Sequence, residues 1–77
     1  MKIVRVCPEY VTVLQQWMVD DGAQVTEGDI ICMTEAMKMM ADVRSPATGT
    51  LRYRAQLGQI VGQDEPIAVI EVPDASA

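Results

Sequence analysis

The peptide best placed to do chemistry is Glu35-Ala36-Met37-Lys38-Met39-Met40, at the middle of the chain. The only other lysine is Lys2, so Lys38 is the one internal amine. The chemistry open to an amine is nucleophilic attack. The plain reading is one solvated lysine, on a strand or short helix, among core methionines. Cys32, Met33, Met37, Met39 and Met40 are soft donors of the kind that bind Cu(I). Strand alternation would split them between two faces, so no metal site is expected. The chain has no histidine, which removes the usual neutral-pH base and the commonest metal ligand. It has no phosphate-cradling glycine loop, Ser/His/Asp set or zinc spacing. Arg44, Arg52 and Arg54, with Asp42 nearby, read as a solvated face of mixed charge rather than an anion site. No catalytic residue is expected, and the chain reads as a non-enzyme.

The rest of the composition agrees. At 77 residues there is one small domain with little room for a closed substrate pocket. Six Lys+Arg against eleven Asp+Glu give a net charge of -5, which argues against nucleic acid and anionic membrane as partners. No apolar run approaches the ~20 residues of a membrane span. Met1-Lys2-Ile3-Val4-Arg5 is not followed by the apolar stretch of a signal peptide. Cys7 and Cys32 each sit in an apolar run and are expected to be reduced core thiols, with a single bridge between them as the alternative; reduced thiols are in keeping with a cytoplasmic location.

The elements that must position Lys38 are short and β-branched. The pattern predicts strands at 3–7, 11–19, 24–25, 30–34, 40–43, 50–55, 60–61 and 67–72, with Gly, Pro and Asp turn signals between them. The best helical window, 33–40, is only two turns long and has strand-like flanks. The chain also repeats itself. Gly22-Ala23-Gln24-Val25 aligns with Gly58-Gln59-Ile60-Val61, Ile31 with Ile67 and Glu35 with Glu71; Pro8 aligns with Pro46, Thr12 with Thr50 and Val13 with Leu51. The two offsets imply a two-residue insertion between about Leu14 and Asp21. The expected fold is all-β: a flattened barrel or sandwich of two four-stranded antiparallel sheets, its halves related by a quasi-twofold axis. Residues 1–72 form the domain and 73–77 a tail. Met1 and two complete halves fit a free-standing subunit. The connection between halves falls at 36–39 and should be exposed.

Glu35-Ala36-Met37-Lys38-Met39 resembles the attachment motif of biotinyl domains, the carrier domains of biotin-dependent carboxylases. The flanks resemble it too: Gly22-Ala-Gln-Val25-Thr-Glu-Gly28-Asp29 before the lysine, and Pro46-Ala-Thr-Gly49 followed by a second Gly-x-x-Val after it. The resemblance covers about residues 3–72. Val11 stands where the family has a glycine matching Gly49, and Asp64-Glu65 replaces the second Gly-Asp.

The resemblance implies a carrier, with biotin joined to Lys38 by a biotin protein ligase. The loaded domain would move CO₂ between a biotin carboxylase and a carboxyltransferase, as in acetyl-CoA carboxylase and carboxylases of other acceptors. Ala36, Met37 and Met39 would complete the recognition motif, with Met37 and Met39 as soft contact surface and Met40 in the core. Glu35 has two readings, a ligase contact or a brace for the turn. Trp17-Met18-Val19-Asp20-Asp21-Gly22 resembles the corresponding segment of lipoyl domains, which share the fold, so a lipoyl carrier of an acyl-transfer complex is the alternative. The methionines flanking Lys38 favour biotin. The segment between Pro8 and Gly22 is too short for the protruding thumb of some family members.

Overall fold

Runs of Val, Ile, Leu and Thr broken by Gly, Pro and Asp build a chain of strands with no helix among the described residues, 1–73, of the computed structural model. The strands are β1 (Lys2–Val6), β2 (Thr12–Trp17), β3 (Gln24–Val25), β4 (Ile30–Ala36), β5 (Met39–Arg44), β6 (Gly49–Tyr53), β7 (Ile60–Val61) and β8 (Ala68–Val72). All eight expected strands are present. The helical window at 33–40 is instead the end of β4, a tight turn and the start of β5. Apart from Pro73, the expected tail lies outside the described residues.

The strands form two four-stranded sheets, ordered β1-β8-β6-β3 and β5-β4-β2-β7, with every pairing antiparallel. Exchanging β1 with β5, β2 with β6, β3 with β7 and β4 with β8 turns one order into the other, as a quasi-twofold requires. Each sheet takes two strands from each half, so neither half could bury its apolar face alone.

The registers correct the repeat alignment. Val13 and Leu14 face Glu35 and Thr34, while Thr50 and Leu51 face Glu71 and Ile70. Val13 is therefore equivalent to Thr50, and Leu14 to Leu51. The insertion is one residue: a bulge between Leu14 and Gln16 leaves Gln15 outside the ladder. Past the bulge, Gln16 is equivalent to Arg52 and Trp17 to Tyr53. Thr12, paired with Val61, is then the counterpart of Gly49, paired with Val25. Val11 is not the counterpart of Gly49. It is exposed and outside the strand.

The core is built from equivalent residues: Leu14 with Leu51, Val25 with Val61, Ile31 with Ile67 and Cys32 with Ala68, all buried. Trp17 and Tyr53 stack on each other, rings nearly parallel at 9° and centroids 3.9 Å apart. Two equivalent residues in contact straddle the quasi-twofold axis, so this stack marks where the axis passes. The Tyr53 hydroxyl donates to the carbonyl of Val19.

Cys32 is buried as expected, but Cys7 is exposed, because β1 ends at Val6 and Cys7 opens the connection to β2. Both thiols are free. Burial pushes the Cys32 thiol from 9.0 up to about 12. An unfolded chain releases this proton first, so stability is full below pH 9 and falls as pH rises toward 12. The slope contributed by this residue reaches about 1.4 kcal/mol per pH unit. Denaturant titrations from pH 8 to 11 should show less of this fall in a Cys32→Val chain; equal slopes would count against the assignment.

Candidate functional site

The β4–β5 hairpin carries Lys38. The ladder runs from Ile30 opposite Arg44 to Ala36 opposite Met39, which leaves Met37 and Lys38 as a two-residue turn. Both have positive φ, 53° and 64°. Consecutive left-handed residues in a two-residue hairpin make a type I′ turn, whose twist matches the strands it joins. That turn normally selects Asn-Gly. Met37 and Lys38 have side chains that crowd the left-handed region, at about 1–2 kcal/mol per residue. The ladder holds them there, and the strain sits at the residue of interest. No turn signal in the sequence betrayed this conformation. Met37→Asn should relieve about 0.5–1 kcal/mol and raise the melting temperature by several degrees. An unchanged midpoint would refute the strain.

The hairpin tip stands clear of the body. Met37 and Met39 are 95% and 73% exposed. Lys38 is exposed. Met40, expected in the core, is 53% exposed. Val43 packs on the core, and alternation along β5 sends Met40 to the outer face, where no further layer covers it. The base of the tip is pinned to β2: Thr12 Oγ1 donates to the Glu35 carbonyl at 2.8 Å and Gln15 Nε2 donates to Glu35 Oε1 at 3.1 Å. Gln15 is the bulged residue, so the irregularity in β2 places the amide that holds Glu35. Bracing is the role of Glu35 visible in the structure. Ala36 is half-buried beside it. Arg44 pairs with Asp42 at 3.3 Å and Arg52 with Glu71 at 3.2 Å, the mixed-charge surface expected of them. Among the described residues, no cluster of three or more His, Cys, Asp or Glu could hold a metal, and no helix is long and apolar enough to cross a membrane.

This geometry offers one exposed amine on a stiff, narrow protrusion. Biotin on that amine would need no pocket in this chain, and the open turn fits such a group.

Known proteins give the arrangement its context. Residues 5–71 match the family described as "Biotin-requiring enzyme". The biotin carboxyl carrier protein of acetyl-CoA carboxylase from Pseudomonas aeruginosa is 40% identical over 53 residues, covering 68% of this chain and 34% of that protein. The chloroplastic biotin carboxyl carrier protein of acetyl-CoA carboxylase 1 from Arabidopsis thaliana is 37% identical over 51 residues, covering 65% of this chain and 18% of that one. The chain thus spans about a third or less of these relatives. The Kluyveromyces lactis urea carboxylase structure shares the fold, with a TM-score of 0.82 and 24% identity over 92% of this chain and 6% of that one. Sheet orders, the exposed central lysine and the match over residues 5–71 agree: the chain belongs to the biotin-requiring enzyme family, as a domain of biotinyl type.

Proposed function

We propose that this biotin carrier domain takes biotin on Lys38 and presents it to the two active sites of a biotin-dependent carboxylase. The observation that carries the reading is the position of Lys38: the one internal amine, exposed in a type I′ turn at the tip of a braced hairpin, within Ala36-Met37-Lys38-Met39.

An alkylammonium has no lone pair with which to attack, so a biotin protein ligase must supply the base and the activated acid. Nζ of Lys38 attacks the carboxyl carbon of biotinyl adenylate. An amide bond forms, the bond to AMP breaks, and two protons leave Nζ: one passes to a base of the ligase before attack, the other to base or solvent as the tetrahedral adduct expels AMP. Lys38 loses its charge, and the tip becomes more acidic by one unit. When bound, biotin supplies a ureido nitrogen that accepts and releases CO₂. The chain supplies position. The β4–β5 ladder and the Thr12 and Gln15 contacts hold the base of the tip, and the lysine stem gives reach and a high local concentration. Met37 and Met39 offer adaptable apolar surface to more than one partner.

The partners in this reading are the ligase, a biotin carboxylase and a carboxyltransferase, in a reducing cytoplasm. Support for carboxylase partners comes from the two relatives named as acetyl-CoA carboxylase carriers; the compartment is read from the two unbridged cysteines. Co-expression with a biotin ligase, and separately with a lipoate ligase, followed by intact-mass measurement, tests it. One biotin on Lys38 and no lipoyl group is the expected result. The opposite pattern would replace biotin with lipoate, and no adduct from either ligase would leave a plain interaction module.

A further inference from the structure

The two ends of the sandwich are built from equivalent residues, and they differ. At the Lys38 end, the inward positions of the hairpin are Thr34, opposite Ala41, and Ala36. Their equivalents at the other end are Ile70, opposite Val4, and Val72, opposite Lys2. Ile70 is fully buried, and Val4 and Val72 pack against the core. The Lys38 end has the smaller residue at all three places. Trimming these side chains leaves a groove of about 430 Å³ between the hairpin and the connection from β1 to β2. Ala36, Ala41 and Val43 line it from the hairpin, and Cys7, Pro8 and Tyr10 from the connection. Because the fold fills the equivalent positions at its other end, the groove follows from residue choice and not from the architecture.

We propose that this groove is a resting site for the biotin arm on Lys38. The inference rests on the attachment reading above. Reach allows it: from Lys38 back to Thr34 is about 13 Å at roughly 3.3 Å per strand residue. An acylated lysine arm of about eleven bonds spans roughly 14 Å at ordinary covalent lengths. Volume allows it, since small-molecule sites begin near ~300 Å³. The chemistry matches in parts. Val43, Pro8 and the alanine methyls suit the acyl chain and the sulfur-containing ring. Asp42 and Arg44 lie on the outer face of β5 with Met40 and pair with each other, so recognition rests on this apolar fit. Affinity need not be high. A short tether gives an effective concentration in the millimolar range, so an intrinsic dissociation constant of about 1 mM fills the groove half the time. The arm is then sheltered between deliveries yet easily drawn out by a partner.

Cys7 reports occupancy, because it is exposed in the groove while Cys32 is buried with its thiol held near 12. A Lys2→Arg chain with an acetylated N-terminus is acylated at Lys38 with a biotin active ester, or with an acetyl group that removes the same charge. No ligase is involved, so failure of enzymatic attachment and failure of the groove give separate results. Cys7 should react with a thiol reagent about twofold more slowly in the biotinylated chain than in the acetylated one. Nuclear Overhauser contacts should link the arm to the methyls of Ala36 and Ala41. In a Thr34→Ile, Ala41→Val chain, which copies the filled end, both effects should vanish; Ala41→Val alone serves if the pair impairs folding. Equal Cys7 rates for the two adducts in the unfilled groove would overturn the proposal, as would a slowing that survives filling.

Discussion

Lys38→Arg is expected to abolish biotin incorporation completely and leave the fold intact. Arginine keeps the positive charge, the long stem and the same tolerance for the left-handed turn at φ 64°. Its guanidinium stays protonated and offers no nucleophilic nitrogen. Stability should change by less than about 0.5 kcal/mol, as for other exposed substitutions. The rival amine is Lys2, which lies in β1 opposite Val72. Its equivalent in the other half is Met39, a strand residue beside the turn and not within it. A ligase that reads the turn has no reason to touch Lys2. Streptavidin blotting and intact mass should therefore read zero in Lys38→Arg, and label on Lys2 would defeat the site assignment.

Gly49→Ala should produce the largest loss of stability of the five glycine-to-alanine changes in this domain. A Cβ at Gly49 would lie 2.9 Å from the carbonyl carbon of Glu71 and 3.1 Å from Ile70 Cγ2, and closer still to the Glu71 oxygen. Most of these atoms are backbone of β8, which pairs with β6 in the middle of its sheet, so side-chain rotation cannot make room. Overpacking of this kind costs about 3 kcal/mol, the upper part of the usual range. In a domain this small that lowers the melting temperature by roughly 12–24 °C. The equivalent place in the other half holds Thr12, whose hydroxyl donates to the Glu35 carbonyl. Thr12→Ala should cost only about 1 kcal/mol, the value of one hydrogen bond. Thermal melts of the two variants test the contrast, and equal shifts would refute it.

The strands were legible because β-branched runs alternate with Gly, Pro and Asp punctuation, and because a self-similar chain with a central lysine restricts the fold. The exposure of Lys38 was legible from the repeat. The left-handed turn was not, since neither Met nor Lys prefers it and only the paired ladder imposes it. The repeat alignment slipped by one residue at β2, where Thr12 and Val13 look like Thr50 and Leu51 but pair like Gly49 and Thr50. Nothing in Gln15 announces a bulge. Cys7 and Met40 were misplaced for a shared reason: both are apolar residues at the edge of a run, and burial there depends on where a strand stops or which face it turns. The groove beside the hairpin becomes visible only after the register shows which residues are equivalents.

The stack of Trp17 on Tyr53 makes the domain its own optical probe. Trp17 is the single tryptophan, and the stack joins the two halves at their axis. Its emission and near-ultraviolet ellipticity therefore follow the parting of the halves, whereas far-ultraviolet signal follows the ladders. If the two sheets, each drawing on both halves, come apart as one unit, the signals must change together. A denaturation curve in which tryptophan moves first would reveal a species with strands intact and the seam open.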